Sequence, residues 1–147
     1  MVKVLVLCVH NSARSQMAEA FINDYGKDLF IAESAGIEKG ELNPYVVKAM
    51  KEIGYDISKN ETNSVFDFYK EGRRYTFVIK VCDTISGQKC PIFPHTLKDF
   101  NWDVSDPSEF AGSESEIMDK VRNTRDIIKE KVMDFINTYK TFAEQRK

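Results

Sequence analysis

Residues 4–21, "VLVLCVHNSARSQMAEAF", put Cys8 at the end of an apolar run and Arg14 and Ser15 where a helical pattern begins. The spacing C-x5-R-S suits a loop that wraps a tetrahedral oxyanion. Val9, His10, Asn11, Ser12, Ala13 and Arg14 can curl so that successive backbone N–H groups point inward. The helix that follows adds unsatisfied N–H donors and the positive end of its dipole. The same donors favour a negative sulfur, so Cys8 should ionise more readily than a free thiol, whose pKa is about 8.5. Arg14 offers a planar fork that holds two oxyanion oxygens and follows them into a trigonal-bipyramidal transition state. Ser15 can donate a hydrogen bond to the thiolate, and His10 contributes its backbone N–H more than its ring. Asp106-Pro107, ahead of the last helical segment, supplies a candidate general acid for a departing oxygen if its loop folds over Cys8. Each part also has a plainer reading: a small buried hydrophobe, a surface cation, an N-cap and an Asp-Pro turn. The strand-loop-helix context favours the chemistry, because C-x5-R by itself recurs by chance.

Two further thiols, Cys82 and Cys90, are separated by the seven residues "DTISGQK". This short polar segment contains Gly87. It could let the two sulfurs meet, although a Cα separation of about 5.5–6 Å would require the segment to refold. Zinc is the metal alternative, with Cys82, Cys90 and His95 as ligands, but the spacing matches no knuckle and a fourth ligand is missing. Inert thiols are the third reading. Three cysteines are an odd number and too few for a secreted disulfide scaffold, so in a reducing compartment they should rest as thiols.

The elements that must position these groups follow from pattern. "VKVLVLC", residues 2–8, is the near-continuous apolar run of a strand buried on both faces of a parallel sheet. Met17, Phe21, Ile22 and Tyr25 recur at helical spacing, and Gly26 is a stop. "LFIAESAG" reads as a second strand. Asn43-Pro44 is an N-cap and first-turn pair that predicts a helix from Pro44 to Ile53, closed by Gly54. Residues 56–74 are ambiguous. "YTFVIKVC" is a third buried strand, and the Pro-containing segment beyond it has room for a short strand near Phe100 to Val104. Ser113 and Glu116 have capping-box spacing, and Ile117, Val121, Ile128, Val132, Phe135 and Tyr139 continue one apolar stripe. The alternation predicts an α/β three-layer sandwich around a four-stranded, mostly parallel sheet, with Cys8 and Cys82 both at carboxyl ends of strands, where such sheets bind ligands.

Composition narrows the function classes. A chain of 147 residues, 42% hydrophobic, fits one domain spanning residues 1–147. With 21 basic and 23 acidic side chains and no basic stripe interleaved with aromatics, a general nucleic-acid binder is a poor fit. No apolar stretch approaches the roughly 18 residues of a membrane span, and no cationic leader precedes the first strand. The expectation is a soluble cytoplasmic protein.

"VLCVHNSARSQMAEA", "ESAGIEKGELNPYVVKAMKEIGYDIS", the pair "VC" and "CP" at Cys82 and Cys90-Pro91, and "NWDVSDP" together resemble the thioredoxin-coupled arsenate reductases. That family shares its fold with the low-molecular-weight protein tyrosine phosphatases. The phosphate loop and Asp-Pro are common to both. The run "NSARSQMAEA", the Trp102-x3-Asp106-Pro107 spacing and the second and third cysteines point to the reductases. After Asp106-Pro107 the phosphatases tend to carry aromatic residues that clasp a phosphotyrosine ring, whereas this chain has Ser108 and Glu109.

The resemblance implies a monomeric enzyme in which Cys8 attacks arsenate, Asp106 protonates the leaving oxygen, and Cys82 then attacks Cys8 to release arsenite. Cys90 would next attack Cys82, leaving a Cys82–Cys90 disulfide for thioredoxin to reduce, with no bound redox cofactor. Phosphatase side activity is also implied. Some members hold a potassium ion through an asparagine, a glutamate, a serine and an aspartate. Asn11, Glu19 and Ser34 match the first three, and Asn63 stands in place of the aspartate.

Overall fold

A computed structural model of the chain describes residues 1–11, 13–82 and 93–147, with the backbone alone at Cys82. Strand β1, Val2–Cys8, buries every side chain but Lys3 and forms the middle of the sheet. It pairs in parallel with β2, Phe30–Gly36, on one side and with β3, Phe77–Cys82, on the other. Beyond β3 lies β4, Lys98–Asp103, also parallel, giving the order β2-β1-β3-β4. The expected mostly parallel sheet is thus wholly parallel among the described strands.

Alternation along β1 sends its side chains to two cores. Val2, Val4 and Val6 face the larger one, with Met17, Ala18, Phe21 and Ile22 of α1, Arg14–Tyr25, and Val46, Ala49 and Met50 of α2, Pro44–Lys51. The same core takes Val121, Ile128, Val132 and Phe135 from the 31-residue α4, Glu114–Glu144. Leu5 and Leu7 face the smaller core, with Val65 and Phe68 of α3, Val65–Lys70, and Tyr75, Val78 and Phe93. Helices on both faces of one sheet make the three layers read from the sequence.

The caps are placed by chemistry expected of them. Asn43 Oδ1 accepts the Tyr45 and Val46 N–H groups at 2.9 and 3.4 Å, with Pro44 opening α2. Ser113 Oγ accepts the Glu116 N–H at 3.2 Å at the start of α4. Four details differ from expectation. α2 ends at Lys51, two residues short of Ile53, because the chain turns through Gly54 at φ +93°, whose N–H bonds Lys51 O at 3.1 Å. The ambiguous stretch contains α3, capped by Ser64 Oγ accepting the Phe66 N–H. Finally, β4 begins at Lys98 rather than near Phe100, and Tyr25, grouped with the apolar stripe of α1, is exposed with Lys129 Nζ 5.4 Å from its ring centre.

Aromatic rings join α4 to the sheet. Phe77 of β3 lies 5.6 Å from Phe135, 4.8 Å from Tyr139 and 5.4 Å from Phe142, centroid to centroid, and 5.8 Å from Phe100 of β4. Phe77→Ala would empty the centre of this cluster and is expected to lower the unfolding free energy by about 3–5 kcal/mol. Urea denaturation of the two proteins measures it, and a loss below about 1 kcal/mol would mean that the rings repack around the gap.

Candidate active site

Cys8 ends β1 in register with Gly36, the last residue of β2. The loop that follows rests on the exit of β2: the carbonyls of Cys8, Val9 and His10 accept the N–H groups of Ile37, Glu38 and Gly40 at 3.2, 3.0 and 3.0 Å. This contact needs a glycine. A Cβ at Gly36 would lie 2.7 Å from Asn11 N and Val9 O, closer than packed atoms approach. With its carbonyls turned to β2, the loop offers N–H groups to the space around the sulfur, as Asn11 N–H does to Cys8 Sγ at 3.1 Å. The loop closes at Ala13, the N-cap of α1, which has no side-chain acceptor of its own.

Asn11 makes the bend at φ +56°, a left-handed conformation that asparagine tolerates better than most residues. Its Nδ2 donates to Ser15 Oγ at 2.8 Å, and Ser15 Oγ lies 2.9 Å from Cys8 Sγ. Because the serine oxygen already accepts from Asn11, its own proton is available to the sulfur. Cys8 is 2% exposed and Ser15 fully buried.

Arg14 reaches from the first turn of α1 to the chain beyond β4, where Nη1 donates to Val104 O at 3.0 Å and Nη2 stands 3.3 Å from Asp106 Oδ2. Asp106 caps a single 3-10 turn, Pro107–Glu109, its Oδ1 accepting the Ser108 N–H at 3.0 Å and the Ser108 hydroxyl at 2.8 Å. An ion pair this deeply buried persists only when its remaining polar atoms are satisfied. Val104 O and the two Ser108 donors do part of that here.

The structure therefore brings together Cys8, Asn11, Ala13, Arg14, Ser15 and Asp106. Val9 and His10 lie on the loop, with the His10 ring turned outward and its Nδ1 3.9 Å from Glu38 Oε2. The register Leu7↔Lys80 sets the Cys82 backbone one residue further along the neighbouring strand than Cys8, at the same edge of the sheet. Ser12 and Cys90 lie outside the described residues, as does the segment between Cys82 and Cys90. Of the zinc alternative, only exposed His95 has a described side chain.

Gln16 and Ser108 had no motif to announce their part in the site. Gln16 is buried with Nε2 within 3.1–3.2 Å of Asn11 O, Asn11 Oδ1 and Glu61 O, and Ser108 holds the catalytic candidate Asp106. Asn63 donates its backbone N–H to Asn11 Oδ1 at 2.8 Å and its Nδ2 to Ser34 O at 3.1 Å. These bonds bear on the potassium set. Asn11 Oδ1 spends both lone pairs on Asn63 and Gln16, and Asn63 turns an amide donor toward Ser34 where a ligand would have to present oxygen. Asn11 Oδ1 and Asn63 Nδ2 as bonded here offer nothing to a cation, whereas the Ser34 hydroxyl is buried with no hydrogen-bond partner among the described residues.

Burial pushes the Glu19 carboxyl up to about 7, with the polar groups of Ser34 opposing the shift and Glu33 adding to it. A carboxyl whose folded pKa exceeds its unfolded value stabilises the fold below the unfolded pKa of 4.5 and loses that contribution as pH rises through about 7. Glu19→Gln should therefore leave stability near pH 4.5 little changed and raise it at pH 8 by about 1–2 kcal/mol, a figure reduced from the full shift because Glu19 keeps some solvent access. Thermal melts of both proteins across this range measure the difference, and parallel pH curves would refute it.

The chain belongs to the low molecular weight phosphotyrosine protein phosphatase family, whose family model matches residues 3–147. Among its similar relatives are arsenate reductases. The arsenate reductase of Bacillus subtilis (strain 168) is 38% identical over 137 residues, 93% of this chain and 96% of that protein. A solved arsenate reductase in the phosphate binding state superposes with a TM-score of 0.75 at 27% identity, over 94% of this chain and 98% of that one. The thioredoxin-dependent arsenate reductase of Corynebacterium glutamicum matches at a TM-score of 0.59 and 25% identity, over 90% of this chain and 62% of that one.

Proposed function

We propose that this chain reduces arsenate to arsenite through Cys8, Cys82 and Cys90, in the cytoplasm and with thioredoxin as the electron donor. The observation that carries the reading is Cys8 Sγ held by Asn11 N–H and Ser15 Oγ at the floor of a phosphate-type loop, with Arg14 and Asp106 beside it. Thioredoxin is supported by the similarity to the Corynebacterium glutamicum enzyme, which is thioredoxin-dependent.

In the first step the Cys8 thiolate attacks arsenic while the Arg14 fork and the loop N–H groups hold the oxygens. Asp106, once it has taken a proton from the bound hydrogen arsenate, passes it to the departing hydroxyl oxygen, so water leaves and a Cys8–arsenate bond remains. Cys82 thiolate then attacks the Cys8 sulfur. The S–As bond breaks with its electron pair going to arsenic, which falls from the +5 to the +3 state and leaves as arsenite. The two sulfurs are oxidised to a Cys8–Cys82 disulfide. Cys90 attacks Cys82, Cys8 departs as a thiolate, and the dithiol of thioredoxin reduces the Cys82–Cys90 disulfide. Two electrons pass from the external dithiol through the three protein thiols to arsenic, so the cycle needs no bound cofactor.

The same cradle can accept a phosphate monoester, since Cys8, Arg14 and Asp106 suffice to form and hydrolyse a cysteinyl phosphate. Phosphatase turnover is the second reading, and the cysteines separate the two. With arsenate, thioredoxin, thioredoxin reductase and NADPH, the parent should form arsenite continuously and Cys90→Ser should stop at one equivalent or fewer. Hydrolysis of p-nitrophenyl phosphate should survive Cys90→Ser and disappear in Cys8→Ser. A parent that hydrolyses the ester yet forms no arsenite would leave a phosphatase.

The amide bonding at Asn63 supports a reductase that works without potassium. Melting temperature in KCl and in NaCl of equal ionic strength should then coincide for the parent. Asn63→Asp, which frees Ser34 O and adds a carboxylate, should gain a potassium-selective increase. A selective rise in the parent would overturn this.

A further inference from the structure

We propose that Gln16 is the positioning residue of the Cys8 nucleophile, acting through Asn11; the inference rests on Cys8 being the nucleophile. Among the described residues, both donors that reach the sulfur depend on how Asn11 sits: its own N–H at 3.1 Å, and Ser15 Oγ, which Asn11 Nδ2 holds. A non-glycine residue at φ +56° is disfavoured and needs outside contacts to remain there. Gln16, third residue of α1 and 1% exposed, supplies them. Its Nε2 stands 3.1 Å from Asn11 O and 3.2 Å from Asn11 Oδ1, so one amide group grips the backbone and the side chain of the bent residue together. Holding Oδ1 fixes the plane of the Asn11 amide and with it the aim of Nδ2 at Ser15.

The orientation of Gln16 is itself determined. Nε2 faces three carbonyl-type oxygens, those of Asn11 O, Asn11 Oδ1 and Glu61 O, while Oε1 accepts Asn60 Nδ2 at 3.1 Å. Turning the amide over would set oxygen against oxygen and nitrogen against nitrogen. The Asn60–Glu61 segment therefore orients Gln16, Gln16 holds Asn11, and Asn11 and Ser15 stabilise the anionic sulfur. A glutamate could not do this, since its carboxylate has no hydrogen to give and would face three acceptors.

The test is the pH–rate profile of Cys8 alkylation by iodoacetamide, resolved by peptide mass spectrometry in the full reduced chain, for the parent, Gln16→Met and Gln16→Glu. Thermal melts identify which variants are folded. Loss of one hydrogen bond to a charged sulfur should slow alkylation at pH 7 about tenfold and move the profile to higher pH in both variants. A folded variant that melts lower yet keeps the parental profile would make Gln16 merely structural and overturn the proposal. If a variant does not fold, amide hydrogen exchange by NMR decides on the parent. The Gln16 side-chain NH2 should exchange far more slowly than that of exposed Gln145, and equal rates would overturn the clamp. Failure of the underlying reading is distinct: the parent itself would then alkylate at Cys8 no faster at pH 7 than a free cysteine.

Discussion

A single left-handed residue between a strand and a helix governs the site. At φ +56° Asn11 turns the chain tightly enough for its own N–H to reach back three residues to Cys8 Sγ, and leaves its side-chain amide over Ser15. The bend is held from three directions. Gly36, lacking a Cβ, lets the loop settle against the β2 exit. The Asn63 N–H binds the Asn11 carboxamide oxygen from the segment before α3, and Gln16 does so from α1. Preorganised donors of this kind cost no rearrangement when charge builds on sulfur or on a bound oxyanion.

The second constraint is Arg14. A guanidinium 2% exposed would be costly to bury without partners, and the chain places them at the far side of the sheet, on Val104 and Asp106. The cation that receives the oxyanion also fixes the carboxyl that would donate the proton. Both groups arrive from different ends of the sequence, and the parallel sheet is what aligns them: β1 delivers the loop and β4 delivers Asp106 at the same edge. The Phe77, Phe100 and Phe135 rings tie β3 and β4 to α4 toward the amino ends of those strands.

Much of this was legible in the residues. β1 was visible because a strand buried on both faces is apolar almost without interruption, and α2 and α4 because Asn43-Pro44 and Ser113 state their caps in side-chain chemistry. Cys8, Arg14, Ser15 and Asp106 were found through spacing and turn type. α3 was not, since six residues make too short a period to read and its buried face is only Val65 and Phe68. β4 carries charged and polar residues on a strand that is half exposed, so it lacked the apolar signature beyond Phe100 and Trp102. Gln16 and Ser108 escaped for a different reason, and Asn63 drew notice only as the fourth potassium position of the resemblance. Their roles depend on which backbone carbonyl or carboxylate folds against them, and amide and hydroxyl side chains look alike in sequence whether they face solvent or a catalytic loop.

The composition of β4 has a meaning beyond the site. An open parallel sheet ends in rows of backbone donors and acceptors that another strand can join, and proteins discourage this with charge at the border. Among the described strands β4 is one border, and it reads Lys-Asp-Phe-Asn-Trp-Asp with Lys98, Asp99, Asn101 and Asp103 exposed. The other border, β2, has its far end joined by the bridge between Gly36 and Ser64. The strand that prepares the approach of Asp106 thus also guards the sheet against edge-to-edge aggregation, which makes it a poor place to trade charge for added hydrophobic stability.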